Sequence, residues 1–281
     1  MNESETKIGR NVSAAPRVSV VIPAYNIADY IGETLDSVLA QTFQDYEIIL
    51  VNDGSPDTAR LESALATYLD DIIYVKQENA GASAARNAAI RLARGELLAF
   101  LDGDDVWLPE FLQSQITYLE KNDLEMVYCD ALIFGEQLFE NQTFMQSAPS
   151  AGAVSTVSLI NAECNVITSG TVLKKETLVK FGVFDVELRR AQDFELWFRL
   201  AKKGVRIGYQ REVLLKYRVR PDNLSGTNVD RAKRSVEVMR FRISSSDRAC
   251  VIVADGCPDV MRATSCASKV APVPAFGLLS M

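Results

Sequence analysis

The chain has 281 residues, of which 48% are hydrophobic and 24% charged, and this is the composition of an ordinary globular protein with a sizeable core. Its formal net charge of -7, with no long run of Lys or Arg, gives no basic surface of the kind that binds nucleic acid, so we expect no nucleic-acid partner. No stretch approaches the roughly 18 apolar residues of a membrane span, and residues 1–11 lack the apolar core of a signal peptide, which predicts a cytoplasmic protein.

Strand and helix patterns alternate between residues 18 and 101. A β-branched run predicts a strand at Val18–Ile22, and apolar residues then follow at helical spacing from Ile31 to Leu39. The later predicted elements are a strand at Ile48–Val51, a helix at Pro56–Leu69, a strand at Ile72–Val75, a helix at Ala82–Arg94 ended by Gly95, and a strand at Leu97–Leu101. Such uniformly apolar strands predict an α/β fold with a Rossmann-like, mostly parallel sheet flanked by helices on both faces.

A short group of residues suited to ligand binding or to turns follows each of the four predicted strands. They are Pro23, Tyr25 and Asn26; Asn52, Asp53, Gly54 and Ser55; Asn79 and Gly81; and Asp102, Asp104 and Asp105. In sheets of this kind, ligands bind outside the carboxyl ends of the strands. The four loops are therefore expected to converge on one binding site.

Three carboxylates surround one glycine directly after the fourth strand, in the order Asp102-Gly103-Asp104-Asp105. Such acids repel one another and are costly to desolvate, so they either remain in water or bind a divalent cation. Mg2+ or Mn2+ fits, because the chain offers carboxylates and has no histidine. The alternatives are a solvated acidic turn or a helix cap, but the next helix is predicted to begin at about Pro109, too far away for these acids to cap it.

Several residues of the four loops also have a purely structural interpretation. Ser55 can cap the following helix, Gly81 can relieve a tight turn, and Arg86 with Asn87 can lie on an exposed helix surface. Asp53 precedes Ser55 and is not needed for that cap. Alternatively, Arg86 near a helix N-terminus adds positive charge beside the backbone amides that favour a phosphate.

Other reaction classes are excluded by what the sequence lacks. Without histidine there is no Ser-His-Asp or Cys-His system, and any general base must be Asp, Glu, Lys, Tyr or Cys. The five cysteines form no CxxC pair, so we expect free thiols rather than a zinc site or a disulfide framework. The fingerprints GxGxxG after the first strand and GxxxxGK[ST] are missing, which disfavours dinucleotide dehydrogenases and P-loop enzymes.

Four segments occur in order between residues 20 and 105, namely VVIPAYN, YIGETLDSVLAQTFQDYEIILVNDGSPD, QENAGASAARNAAI and LLAFLDGDD. Together they resemble the family 2 glycosyltransferases with the GT-A fold, and the resemblance covers about residues 17–225. It implies transfer of a sugar from a nucleoside diphosphate sugar, most often UDP-linked, to an acceptor hydroxyl with inversion at the anomeric carbon. A departing UDP carries concentrated negative charge, which a metal bridging its phosphates stabilises.

The resemblance implies roles for the residues at the strand ends. Three residues would contact the base and ribose, namely Pro23, Tyr25 and Asp53, with Asp53 accepting a hydrogen bond from uracil. Asp104 would be the first metal ligand, Asp102 would lie near the metal or the ribose, and Asp105 would lie next to the sugar or support the ligands. Three more residues would line the nucleotide and diphosphate pocket, namely Asn79, Gly81 and Arg86.

Residues 191–200, with the sequence AQDFELWFRL, resemble the family's acidic segment before the helix that lines the acceptor pocket. Asp193 occupies the position of the base, from which a carboxylate takes the proton of the acceptor hydroxyl. Asp193 can also cap that helix, and the two roles are compatible. Many relatives carry Glu immediately before this Asp, whereas this chain has Gln192. Trp197 would shape the acceptor pocket or belong to the core.

Two further segments resemble parts of the family near the donor. Thr168-Ser169-Gly170 matches a segment beside the donor sugar, so Ser169 and Gly170 would contact that sugar or form an ordinary loop. Residues 217–225, YRVRPDNLS, resemble the closing loop, which often has a histidine where this chain has Arg220. Arg218 and Arg220 can still hold a diphosphate, but they cannot titrate as a histidine does.

The predicted domains are a flexible N-terminus at 1–15, a glycosyltransferase domain at 16–225 and an atypical tail at 226–281. The domain divides into a nucleotide-binding half at 16–105 and an acceptor half at 106–225. Within the tail, residues 230–243 form a basic amphipathic segment that either packs on the core or contacts an anionic membrane surface. After Ser244 the sequence has no sustained periodicity and no relation to the family.

The resemblance as a whole predicts a metal-dependent inverting glycosyltransferase, with a nucleoside diphosphate sugar as donor and a sugar or lipid-linked acceptor. The expected setting is assembly of a cell-surface polysaccharide or glycolipid, either free in the cytoplasm or in peripheral contact with the inner face of the membrane. The alternative is a nucleotide-sugar-binding protein without turnover, which Gln192 and Arg220 leave open. A nucleotidyltransferase is a third interpretation, but the chain lacks the Gly-rich opening with Arg and Lys after its first strand.

Overall fold

The computed structural model describes residues 5–135 and 142–220. The described strands are β1 Glu5–Ile8, β2 Val18–Ala24, β3 Tyr46–Asp53, β4 Ile72–Gln77, β5 Leu97–Phe100, β6 Val106–Trp107, β7 Met126–Phe134, β8 Thr171–Lys174 and β9 Ile207–Arg218. The described helices are α1 Ile31–Leu39, α2 Thr58–Ala64, α3 Ala82–Leu92, α4 Phe111–Lys121, α5 Phe144–Ser147, α6 Thr156–Ile160, α7 Lys175–Phe181 and α8 Gln192–Lys202. Short 3-10 turns lie at Leu65–Thr67 and Thr168–Gly170. The predictions for residues 221–281, including the amphipathic segment, fall outside the described residues.

One sheet of nine strands runs through the described residues, in the order β1-β4-β3-β2-β5-β8-β7-β9-β6. Neighbouring strands in the series β4, β3, β2 and β5 are parallel, as the apolar strand pattern predicted. Beyond β5 the sheet is mixed, because β8 is antiparallel to both β5 and β7, whereas β9 is parallel to β7. The predicted α/β fold class is confirmed, with the parallel order concentrated in residues 18–100.

The core lies on both faces of this sheet, because successive residues of a strand point to opposite sides. In β2, Val20 and Ile22 belong to a hydrophobic cluster with residues of α1, α2 and α4. Val21, between them, belongs to a second cluster with residues of α3, α7 and α8. Burial on two faces explains why the strands are continuous apolar runs rather than alternating ones.

Residues 5–8, predicted as part of a flexible N-terminus, instead form strand β1 along the edge of β4. The register pairs Glu5 with Lys76 and Ile8 with Ile73 in antiparallel order. All four residues of β1 are exposed, so the strand forms through backbone pairing and not through an apolar face. Such a strand has no hydrophobic periodicity by which the sequence could reveal it.

Two helix starts decide the alternatives left open by the sequence. Helix α2 begins at Thr58, with Asp57 at its N-cap position, so the alternative in which Ser55 caps this helix is excluded. Helix α4 begins at Phe111, close to the predicted Pro109, and the three acids after β5 do not cap it. Within the described residues, no helix has both the length and the apolar content needed to cross a membrane.

Candidate active site

The loops predicted to converge all start at one edge of the sheet. Strands β2, β3, β4 and β5 end at Ala24, Asp53, Gln77 and Phe100, and because they are parallel these ends share an edge. Hydrogen bonds join the loop after β2 to the loop after β3, and the end of β3 to the loop after β4. The edge is therefore a single site built from segments distant in sequence.

Asp53 organises the loop that precedes α3. Its carboxylate accepts hydrogen bonds from the Gln77 side-chain amide at 2.7 Å, the Ala80 backbone N–H at 3.0 Å and the Gly81 backbone N–H at 2.8 Å. The Asn79 side chain donates to the Asp53 carbonyl at 3.0 Å. Gly81 has φ 91°, a conformation that favours glycine because a Cβ would strain it. Asp53, predicted to accept a hydrogen bond from uracil, is buried, and its carboxylate fixes the loop that carries Asn79 and Gly81.

The loops after β2 and β3 are tied to each other. The Asn26 backbone N–H donates to the Ser55 hydroxyl at 2.7 Å, and the Ala28 N–H donates to the Asp57 carboxylate at 2.9 Å. Ser55 thus holds the β2 loop instead of capping α2. Pro23 is half-buried at the end of β2, while Tyr25 is 51% exposed and presents an open aromatic ring at the edge.

Asp102 connects the acidic loop to two other elements. Its carboxylate pairs with Arg86 of α3 at 2.5 Å, and its backbone N–H donates to the Ser169 hydroxyl at 3.1 Å. Arg86 is buried and its guanidinium carbon lies 5.4 Å from the centre of the Phe184 ring. Arg86 therefore lies beneath the loop as the counter-ion of Asp102, and not on an exposed helix surface.

Asp104 and Asp105 are not a solvated acidic turn. The Asp104 side chain is 13% exposed and lies 2.9 Å from Nε of Arg220, while Asp105 is 2% exposed and accepts the Arg218 backbone N–H at 2.8 Å. Burial, followed by the charge of Asp102, raises the pKa of Asp104 to about 6. Burial, followed by the charges of Asp104 and Asp102, raises the pKa of Asp105 well above its usual value. The two carboxyl groups are therefore costly to ionise together, and a bound cation would reduce that cost.

Arg218, at the end of β9, fixes that strand against the acidic loop. Its Nε donates to the Asp104 carbonyl at 2.8 Å, and its guanidinium also pairs with Glu33. The guanidinium carbon lies 4.9 Å from the centre of the Tyr30 ring and 4.3 Å from that of Phe134. These contacts place Arg218 as a clamp for the loop, between two aromatic rings.

Asp193 lies in the first turn of α8. The helix begins at Gln192, and the N-cap position is Ala191 with φ 54°, so Asp193 is not the cap. The Thr168 hydroxyl donates to the Asp193 carboxylate at 3.2 Å. Because Ser169, the next residue, accepts from the Asp102 N–H, one short turn joins Asp193 to the acidic loop.

Three residues predicted beside the sugar or acceptor do not present side chains to that space. Trp197 is 2% exposed and packs in the core with Phe100 and Phe184, because it points from α8 towards the sheet. Gly170 is buried, and a Cβ there would lie 3.2 Å from the Cys129 sulfur. Ser169 is buried as well, and its hydroxyl accepts a hydrogen bond from the Asp102 backbone N–H. Gln192 is partly exposed and donates to the Arg189 carbonyl at 2.9 Å.

Asp102 and Asp104 can bind a divalent cation only if a bound diphosphate supplies further ligands. No group of three or more His, Cys, Asp or Glu side chains in residues 5–135 and 142–220 is placed to hold a metal ion. Asp102 and Asp104 offer hard oxygen atoms, and Mg2+ is commonly held by one or two carboxylates together with substrate phosphates. This donor set therefore suits Mg2+ or Mn2+ shared with a diphosphate.

Sequence reasoning missed two residues that shape the site. Tyr30 contacts the guanidinium groups of both Arg218 and Arg220, and its position just before α1 gives no signal for such a contact. Glu33, in the first turn of α1, pairs with Arg218 but resembles an ordinary favourable charge at a helix N-terminus. These three contacts join residues 185 to 190 positions apart, for which the sequence holds no spacing rule.

The raised pKa of Asp104 predicts pH-dependent stability of the metal-free protein. The folded protein binds this proton more tightly than the unfolded chain, so the stabilisation is fully present below the usual pKa of 3.8 and is lost as pH rises through about 6. We expect the melting temperature in EDTA to fall more over this range in the wild type than in Asp104→Asn, which cannot titrate there. Equal slopes in the two proteins would contradict the prediction.

Among known proteins, relatives of this chain are glycosyltransferases. An uncharacterised glycosyltransferase of Rickettsia prowazekii is 33% identical over 216 residues, which are 76% of this chain and 67% of the relative. TuaG of Bacillus subtilis, a putative teichuronic acid biosynthesis glycosyltransferase, is 29% identical over 227 residues, which are 80% of this chain and 88% of TuaG. Some relatives are much longer, since the matched part covers 34% of a Rickettsia felis glycosyltransferase.

Solved structures with a similar fold include a mannosyltransferase and a protein bound to a nucleotide sugar. Mannosyltransferase PcManGT from Pyrobaculum calidifontis, in complex with GDP-Man and Mn2+, has a TM-score of 0.65 at 22% identity, covering 85% of this chain and 68% of that one. TarS of S. aureus, in complex with UDP-GlcNAc, has a TM-score of 0.62 at 20% identity, covering 82% and 67%. The sequence model described as Glycosyl transferase family 2 matches residues 19–177. The match spans both β2 to β5 and the segment carrying Ser169, so this chain belongs to glycosyl transferase family 2 and has the GT-A fold.

Proposed function

We propose that this protein transfers a sugar from a UDP-linked donor to an acceptor hydroxyl, with inversion at the anomeric carbon. One observation carries the proposal: Thr168 and Ser169, adjacent in one short turn, contact Asp193 and Asp102 respectively. A candidate base and the acidic loop are thereby held in one site. An inverting transfer needs this pair of functions, one group for the attacking hydroxyl and another for the leaving diphosphate.

The donor occupies the edge formed by the loops after β2, β3 and β4. The exposed Tyr25 ring and Pro23 form a surface for the base, and the Asp53 carboxylate fixes the loop that carries Asn79 and Gly81. TarS in its UDP and UDP-GlcNAc complexes supports a uridine donor. PcManGT in its GDP-Man complex makes guanosine the competing choice, which binding experiments separate.

The chemical step is a single displacement. The acceptor oxygen forms a bond to the anomeric carbon, the bond from that carbon to the diphosphate oxygen breaks, and its electron pair leaves with UDP. The proton of the acceptor hydroxyl passes to the Asp193 carboxylate, which the Thr168 hydroxyl holds in place at 3.2 Å. Asp193 lies in the first turn of α8, where the partial positive charge of the helix N-terminus attracts a carboxylate.

The negative charge of the leaving UDP requires a positive environment. Mg2+ or Mn2+ bound at Asp102 and Asp104 would neutralise that charge as the glycosidic bond breaks. Arg86 holds Asp102 from below at 2.5 Å, and Arg218 holds the backbone of Asp104 at 2.8 Å, so the loop is positioned before the donor arrives. Because these residues are already in place, no free energy is needed to reorganise the loop during the reaction.

The acceptor is a sugar or lipid-linked saccharide, and the setting is assembly of a cell-surface polysaccharide or glycolipid on the cytoplasmic side. This setting is supported by TuaG, a putative teichuronic acid biosynthesis glycosyltransferase that is 29% identical to this chain. The exposed residues around Gln192 at the start of α8 form the side of the site open to the acceptor. Membrane contact was predicted for residues 230–243, outside the described residues, and remains a prediction.

Titration of UDP, with and without Mn2+, tests the donor site. We expect UDP binding that depends on Mn2+ and weakens at least about tenfold in Asp104→Asn, because even lost supporting contacts cost a metal site 10–100-fold. Asp123→Asn is a matched control, because Asp123 is an exposed acid at a positive φ that Asn tolerates.

The outcomes separate the proposed function from its competitors. Tighter binding of GDP than of UDP would contradict the uridine assignment, and no binding of either would contradict the donor site as a whole. UDP release from UDP-sugars in the presence of acceptors then tests turnover. Binding without any transfer would favour the alternative, a nucleotide-sugar-binding protein.

A further inference from the structure

Arg220 contacts the Asp104 carboxylate, at the place where the metal ion is proposed to bind. Its Nε is 2.9 Å from the Asp104 carboxylate, and each of the two side chains is 13% exposed. Its guanidinium carbon is 5.0 Å from the centre of the Tyr30 ring, and Nη1 is 3.4 Å from the Asn26 carbonyl. The arginine thus sits between the acidic loop and the β2 loop, on the edge where the donor binds.

A carboxylate with this partner is poorly available to a metal ion. A divalent cation and a guanidinium repel each other, and an ion pair that is mostly shielded from water is costly to break without compensation. The same guanidinium is suited to a diphosphate, whose oxygens accept paired N–H groups. Arg220 therefore has two acceptors of similar chemistry within one site, the Asp104 carboxylate and the donor's diphosphate.

We propose that Arg220 is the counter-ion of Asp104 when no donor is bound and moves to the donor's diphosphate when Asp104 binds the metal. The inference rests on the proposed donor site and adds an order of binding to it. Metal and donor bind together, because the diphosphate offers Arg220 a new partner at the moment when Asp104 loses its old one. Metal alone binds weakly.

The two arginines of this segment have different surroundings. Arg218 is held by the Asp104 carbonyl, by Glu33 and by two aromatic rings, which keeps the end of β9 in place. Arg220 contacts the Tyr30 ring in addition to Asp104 and the Asn26 carbonyl, and the attraction between a cation and an aromatic face does not need one fixed hydrogen-bond geometry. Movement of the Arg220 side chain alone is enough for the exchange, with the backbone held two residues earlier.

The test is a titration of Mn2+ without nucleotide, followed by electron paramagnetic resonance of the free ion. Arg220→Gln removes the charge while keeping a polar side chain, and we expect it to bind Mn2+ about tenfold or more tightly than the wild type. Arg220→Lys keeps the charge and should stay close to the wild type. Arg206→Gln is the control, because Arg206 pairs with Asp123 and Glu125 away from the acidic loop.

A second titration measures UDP affinity at saturating Mn2+, where Arg220→Gln should bind UDP more weakly than the wild type. Equal or weaker Mn2+ affinity of Arg220→Gln without nucleotide would overturn the inference, as would absence of Mn2+ binding in both proteins. If Arg220→Gln does not fold by circular dichroism, Arg220→Met provides the neutral variant. A wild type that binds no UDP contradicts the proposed function, while tighter Mn2+ binding by the variant still supports the ion pair as the barrier to metal.

Discussion

Replacing Asp193 with Asn is expected to lower the transfer rate by about two to four orders of magnitude, the usual contribution of a positioned general base. The affinity for UDP should stay within about twofold, because Asp193 belongs to α8 and not to the loops that hold the donor. A loss in kcat with little change in donor binding is the signature of an interaction made in the transition state.

Asparagine tests the proton-accepting role with little structural disturbance. Its carbonyl oxygen can still accept the hydrogen bond from Thr168, so the turn that joins α8 to the acidic loop is preserved. The change also removes a negative charge from the first turn of α8, which costs about 0.3–1 kcal/mol of stability. That cost is too small to explain a loss of activity of a hundredfold or more.

The measurement is initial-rate kinetics of UDP release with saturating donor and acceptor, alongside UDP titration. Glu176→Gln is a matched control, since Glu176 is also an acid in the first turn of a helix, α7, but is exposed and lies outside the site. Its kcat should equal that of the wild type. Transfer by Asp193→Asn within tenfold of the wild type would place the base elsewhere.

The nucleotide-binding half could be predicted from sequence because its signals are local. Strands β2 to β5 are continuous apolar runs, and parallel strands bring their carboxyl ends to one edge by geometry alone. Asp53 and Asp102 follow directly after such runs, so their place at that edge needs no knowledge of distant contacts. The limits of α2 and the strand β1 were missed because neither depends on an apolar pattern.

The partners of the charged residues could not be predicted, because each pair joins distant segments. Asp104 meets Arg220 after more than a hundred intervening residues, through the path of β9 beside β6. The sequence predicts that Arg86 favours a phosphate, whereas in the structure Arg86 is the counter-ion of Asp102. Sequence shows which charges exist near a site, whereas the crossing of strands decides which of them are already paired.

Trp197 illustrates the same limit for a large aromatic residue and leads to the second major prediction. It is 2% exposed, with its ring centre 6.4 Å from that of Phe100 and 6.2 Å from that of Phe184. Trp197→Ala should lower the free energy of unfolding by about 3–5 kcal/mol, the usual cost of removing a buried large aromatic side chain. Chemical denaturation followed by circular dichroism measures this loss.

Trp197 also positions the candidate base, because Asp193 lies four residues earlier on the same side of α8. Loss of the indole would let the helix shift against the sheet, so Trp197→Ala should lower kcat even in the fraction that remains folded.

Trp197→Phe is the matched variant: it keeps an aromatic ring and removes an indole N–H that is buried without a hydrogen-bond partner among the described residues. Because the removed N–H carries an unmet desolvation cost, Trp197→Phe should lose less than about 1.5 kcal/mol and keep the wild-type KM for the acceptor. A raised acceptor KM in stable Trp197→Phe would instead support direct contact between Trp197 and the acceptor.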